Sequence, residues 1–215
     1  MSDLSARLGE LFAAERTVRR IHADLTKRGA DALLPELERA IAEAQAQEDP
    51  AEAALRLVRV AELLGEVGGP RAIDALLDLM AASEPEVRVV AGEALEELAY
   101  SRFKEVALGV ERAIGRLPKD SPALCEIPYM LAEIPEGGTV ALLKKFLALS
   151  EAEPVAAAVE ALVEVGDPEA IGALRGLAKD KRTVSMESMG EEGSLTIGEL
   201  ATEAIGLLEQ VRGRA

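Results

Sequence analysis

Apolar residues recur along most of the chain at three- and four-residue intervals, the spacing of one face of an α-helix, and short Gly-, Pro- or Ser-containing breaks interrupt them. The clearest unit occupies 69–99, GPRAIDALLDLMAASEPEVRVVAGEALEELA. Two amphipathic helices are predicted there, separated by SEP. Ser83 is placed to cap the second, and Pro85 falls in its first turn, where a missing N–H costs no hydrogen bond. The same helical hairpin returns at 136–166, and again at 166–180 continued by 196–211.

Aligning the second helices gives anchors at Leu64, Leu95, Leu131, Leu162 and Ile205, spaced 31, 36, 31 and 43 residues apart. Three residues after them stand Val67, Leu98, Ile134, Val165 and Leu208; four before stand Val60, Ala91, Ile127, Ala158 and Ala201. These offsets share one helical face, so each hairpin can bury the same side against the next.

The segment PEVRVVAGEAL, 85–95, resembles the second helix of a HEAT repeat, and GDPEAIGALRGL, 166–177, resembles the first helix of the short bacterial, PBS-lyase-type HEAT-like repeat. The resemblance is sharp at 69–99 and 154–177. It weakens in the third unit, where Pro128 is expected to interrupt the second helix, and no other repeat has an Arg at the position of Arg88. It implies an all-α fold: a right-handed α-solenoid of about five HEAT-like hairpins over 31–211, with an N-terminal capping helix in 1–30 and a short tail at 212–215.

The first helix, running from Asp3 to about Arg28, differs in kind. Leu4, Leu11, Val18 and Leu25 repeat at strict sevens, with Leu8 and Ile21 beside them. Such a helix serves either as a cap over the first repeat or as a dimerising helix. Arg7, Glu15 and His22 break its companion positions, which favours the cap and with it a monomer. The last repeat carries about 12 extra residues within 181–195, either a small hairpin or an exposed loop, where Met186 and Met189 would suit an adaptable contact surface.

Composition narrows the chemistry. Of 215 residues only five are aromatic, one is histidine (His22) and one cysteine (Cys125). One histidine excludes HExxH zinc sites, and no CxxC, GxGxxG or GxxxxGK motif is present. Cys125 lacks a visible base and is expected to pack as a small apolar group in the third unit. No catalytic residue, cofactor or metal is therefore assigned. The net charge of −15 argues against a duplex-DNA or anionic-membrane partner and favours basic ones. No apolar run suggests a signal peptide or a span, and a lone cysteine requires no oxidising compartment, so a cytoplasmic location is expected.

Charge is also uneven, net −3, −6, +1 and −7 over 1–50, 51–100, 101–150 and 151–215. Arg102, Lys104, Arg112, Arg116 and Lys119 suggest a basic patch on the convex side. Two residues before each anchor stand Glu62, Glu93, Tyr129, Glu160 and Glu203, and two after stand Glu66, Glu97, Glu133, Glu164 and Leu207. The two columns, four residues apart, share one face turned roughly 130° from the centre of the apolar face at about 100° per residue. Because the HEAT resemblance implies that second helices line the concave side, these residues would form an acidic stripe along a groove, unless they are simply a solvated face. The function expected is a non-catalytic protein–protein adaptor or scaffold whose groove takes a basic or amphipathic segment. The alternative is a lyase-like or pigment-handling HEAT-repeat protein.

Overall fold

The computed structural model describes residues 3–188 and 191–213, with backbone alone for 186–188, 191 and 192. Its elements are α1 (Asp3–Thr26), α2 (Ala30–Gln45), α3 (Pro50–Val67), α4 (Pro70–Leu79), α5 (Pro85–Arg116), α6 (Pro122–Ala132), α7 (Thr139–Phe146), α8 (Ala152–Val165), α9 (Ile171–Arg175), β1 (Thr183–Ser188), β2 (Glu191–Thr196) and α10 (Ile197–Arg212). A 3₁₀ turn, Pro168–Ala170, leads into α9.

Five helical pairs follow one another: α2 with α3, α4 with the first half of α5, the second half of α5 with α6, α7 with α8, and α9 with α10. Second helices pack side by side in chain order, α3 on α5, α6 on α8, α8 on α10. Each alone would leave an apolar face in water, and stacking closes these faces into one continuous core. The anchors Leu64, Leu95, Leu131 and Leu162 are wholly enclosed, as are Ala91, Ile127 and Ala158 four residues before three of them. Ile205, in α10, is only half-buried, while Ala201 and Leu208 of the same helix are wholly enclosed.

Local sequence sets the breaks. Gly68 and Gly69 take φ of 64° and 84° between α3 and α4, a left-handed turn that a Cβ would strain. Asp49 accepts a hydrogen bond from the Ala51 amide (3.0 Å) and Asp167 one from Glu169 (2.8 Å), each followed by proline in the first turn. Two expectations are corrected. The residue before α5 is Glu84, not Ser83, whose hydroxyl turns to the Glu84 carboxylate (2.8 Å). α6 runs straight through a buried Pro128.

The second and third units are joined without a loop. Pro85–Arg116 is one run with a kink at Arg102 (φ −141°, ψ 44°), and the kink converts a second helix into the next first helix. Beyond it the helix crosses α4 at Gly109, where a Cβ would collide with Ile73 Cγ2 and lie 3.3 Å from Leu77 Cδ1. Alanine for glycine inside a helix ordinarily gains up to about 1 kcal/mol. Here overpacking should reverse the sign, so Gly109→Ala is expected to lower stability by about 1–3 kcal/mol in urea unfolding.

The 181–195 insertion is a hairpin: β1 and β2 pair antiparallel from Thr183↔Thr196 to Ser188↔Glu191, and Thr196 then caps α10 with Glu199 in a reciprocal capping box. The contact role expected of Met186 and Met189 falls outside the described side chains.

The N-terminal helix stands at the end of the array but covers little of it. None of its residues is buried, and it touches α3 and the edge of α2. Its apolar side chains, from Leu4 (75% exposed) to Leu25 (37%), face solvent.

Candidate functional site

The exposed side of the second helices carries the glutamate columns. The helical period that sends Leu64, Leu95, Leu131 and Leu162 inward leaves Glu66, Glu93, Glu97, Glu133, Glu160, Glu164 and Glu203 exposed and Glu62 half-exposed. The structure brings four of them together. Glu62 and Glu66 of α3 face Glu93 and Glu97 of α5 across a cleft of 520 Å³ whose walls include Gly65, Ala94 and Leu98. The small residues matter: Gly65 and Ala94 let the two helices approach until a Cβ at Gly65 would be 3.0 Å from that of Ala94.

Two side chains not assigned to the stripe from sequence close this cleft. His22, from the last turns of α1, places Nε2 2.6 Å from Glu66 Oε1 and Nδ1 4.0 Å from Glu62 Oε2. Glu62 is also held by Arg59 at 2.9 Å. Arg102 had been assigned to a convex basic patch, but the kink turns it into the cleft beside Gly68, where a Cβ would stand 2.5 Å from its Nη1. No local pattern announces either residue, since both depend on where two distant helices meet.

Two further members of that basic patch, Arg112 and Arg116, are neutralised, whereas Lys104 and Lys119 form no ion pair among the described residues. Arg112 forks onto Asp74 (2.8 Å), Arg116 pairs with Asp78, and Lys145 reaches Glu111 (2.8 Å). With Arg71–Glu38 (2.6 Å) and Lys144–Glu169 (2.7 Å), these ties link successive first helices. By contrast, among the described residues Glu93, Glu97, Glu133, Glu160, Glu164 and Glu203 form no ion pair, so the second-helix side carries a row of uncompensated negative charge.

Tyrosines bridge the middle of that side. Tyr129 donates to Glu160 Oε2 at 2.5 Å and Tyr100 to the Glu133 carbonyl at 3.1 Å. Burial, then the hydrogen bond to Glu160 and the charge of that carboxylate, push the Tyr129 hydroxyl well above its ordinary pKa, so it remains a proton donor at neutral pH. Cys125, one turn earlier on α6, is half-buried, and its pKa is also raised, first by burial and then by Glu153 and Glu126. That environment disfavours the reactive thiolate. Glu203 stands apart, in a shallow cleft of the last repeat with Lys179, Lys181 and Thr202, and Leu207 is exposed beside it. The nine sequence-assigned residues thus form an inner cluster at Glu62, Glu66, Glu93 and Glu97, a Tyr129–Glu160 pair, and single carboxylates at Glu133, Glu164 and Glu203.

Among the described residues, no group of three His, Cys, Asp or Glu side chains is arranged to hold a metal ion, and no helix is long and apolar enough to cross a membrane. Arrays of carboxylates on rigid helices can attract cations and order a basic segment along their length.

Residues 155–180, from within α8 to the end of the segment following α9, match the family model described as PBS lyase HEAT-like repeat. No curated protein gives a match to the sequence. Among solved structures, an engineered protein is similar with 20% identity, coverage of 91% of this chain and 92% of its own, and a TM-score of 0.37. Human deoxyhypusine hydroxylase in complex with glycerol is similar with 17% identity, coverage of 97% and 100%, and a TM-score of 0.35.

Proposed function

We propose that this HEAT-like repeat protein is a non-catalytic adaptor that presents its acidic second-helix side to a basic or amphipathic segment of a protein partner. The observation that carries this reading is the asymmetry of charge compensation. On the first-helix side Arg71, Arg112, Arg116, Lys144 and Lys145 are tied to carboxylates of the neighbouring repeat, while six glutamates on the opposite side form no ion pair among the described residues. Like charges lined up on one rigid surface repel one another, and a basic segment relieves that repulsion. Exposed Tyr129 adds an amphipathic side chain of the kind enriched at contact sites. A pigment-handling role would call for an aromatic lining, whereas the cleft is walled by four glutamates, His22 and Arg102.

The test is fluorescence anisotropy with a labelled Lys/Leu amphipathic peptide and its Glu/Leu counterpart. Replacing Glu93, Glu97, Glu160 and Glu164 with Gln should weaken Lys/Leu binding by about tenfold or more and flatten its dependence on salt. A control with equal charge change, Glu48, Glu86 and Glu105→Gln with Asp120→Asn, should bind as wild type. Equal losses in both variants would reduce the effect to net charge and overturn the reading, as would no loss in either.

A further inference from the structure

We infer that α1 is an antiparallel homodimerisation helix, whose apolar stripe pairs with the same stripe of a second copy about a two-fold axis between Ala14 and Glu15. A 24-residue helix is about 36 Å long, and helices in proteins owe most of their stability to a packed apolar face. α1 has no such face within its own chain. Leu4, Leu8, Leu11, Val18, Ile21 and Leu25 are all exposed, and only His22 and Thr26 are partly covered. Arg7, Glu15 and His22, whose places in the heptad favour a cap, do not bring this stripe into cover within the chain.

The spacing of the stripe identifies the occupant. Leu4, Leu8 and Leu11 are separated by four and then three residues, while Val18, Ile21 and Leu25 are separated by three and then four. These six positions are their own mirror image about the midpoint of 14 and 15; the exposed Phe12 stands outside the set, its mirror position being Thr17. A two-fold, isologous contact requires this property, because each surface must complement itself. In antiparallel pairing, residue i stands level with residue 29 − i of the second copy. Leu4 then meets the level of Leu25, Leu8 that of Ile21 and Leu11 that of Val18, with the small side chain of Ala14 level with Glu15 of the second copy at the axis.

Charge selects this direction over a parallel pair. Parallel helices in register would place Arg7 level with Arg7 of the second copy and set Glu10 toward its Glu15. They would also bring two chains of net charge −15 together at one end. α1 joins the solenoid at its C-terminal end through His22, so antiparallel pairing puts the two solenoids at opposite ends of the helix. The two His22 attachment points are then about 22 Å apart along the helix axis at 1.5 Å per residue, beyond the roughly 8 Å Debye length at physiological salt.

Sedimentation equilibrium of the full chain should give twice the 22.7 kDa monomer mass, and Leu11→Glu with Val18→Glu should give the monomer mass with unchanged helical circular dichroism. Because both residues are exposed, the double variant leaves the core intact. In a Cys125→Ser background under mild oxidation, Ala14→Cys should form a disulfide-linked dimer. Leu4→Cys should link only when mixed with Leu25→Cys. A monomeric wild type, a dimer that survives the double glutamate substitution, or self-linking Leu4→Cys would each overturn the proposal.

Discussion

Phe146→Ala should lower the unfolding free energy by about 3–5 kcal/mol, the range for removing a buried aromatic ring. Phe146 closes α7, a helix of only eight residues, and is wholly enclosed. The remaining core is almost entirely Ala, Leu, Val and Ile, whose packed side chains cannot swing into the vacated volume without leaving their own holes. α7 also bridges units, packing on α8 and α6 and against the second half of α5. In a repeat array each pair rests mainly on its neighbours, so the loss should be local. Urea unfolding measures the total. Hydrogen exchange should show amides of α7–α10 losing protection well before those of α2 and α3. A loss no larger than that of a surface substitution would mean that the site collapses around the smaller side chain.

Arg182→Ala is expected to cost about 2–3 kcal/mol through lost charge-assisted hydrogen bonds and acceptors left without donors. Arg182 stands where the chain enters the hairpin, and its guanidinium reaches back to the loop after α7, donating to the carbonyls of Leu149 (2.6 Å), Ser150 (2.8 Å) and Glu151 (3.3 Å). Its other nitrogens fork onto Asp180. Arg88 does the same for the equivalent loop of the second unit, donating to Ala82 and Ser83 and pairing with Glu126 of the following helix α6. Arg182→Lys should recover only part of the loss, since one ammonium cannot fork to a carboxylate and hold three carbonyls.

The effect has a pH signature. The hydrogen bond from Arg182 holds the Asp180 carboxyl below its ordinary pKa of 3.8. A lowered folded-state value contributes stability that is present above the unfolded pKa and is lost as pH falls through the folded one. The difference between wild type and Arg182→Ala should therefore be constant near neutrality and shrink as the solution is acidified below about pH 4. Melting temperatures of both proteins across that range check the sign.

How far the sequence carries can be followed through single residues. Leu95 and Ile127 were assigned to the buried face from a three- and four-residue period, and both are wholly enclosed. Glu93 and Glu97 were assigned to the exposed face by the same period, and both are exposed. The strand-like residues after Arg182 do form a hairpin, and the extra length that revealed them needed only a comparison of repeats. These are properties of one element at a time, where about 100° of rotation per residue decides which way a side chain points.

Residues that act between elements were not legible. Nothing near Arg102 shows that the helix kinks there and turns its guanidinium into the acidic cleft, and nothing near His22 shows that Glu66 lies 2.6 Å away, 44 positions along the chain. Arg112 reads as an exposed cation until α4 is laid beside it with Asp74 38 positions back. The helical hairpins, their buried face and the glutamate columns were legible from local periodicity alone. Which charges are paired across repeats, that Tyr129 donates to Glu160, and that the apolar stripe of α1 stays exposed while His22 meets Glu66 follow from tertiary packing alone. Those outcomes depend on the angles and distances at which separate helices pack, and these are set by the sum of core contacts rather than by any one segment.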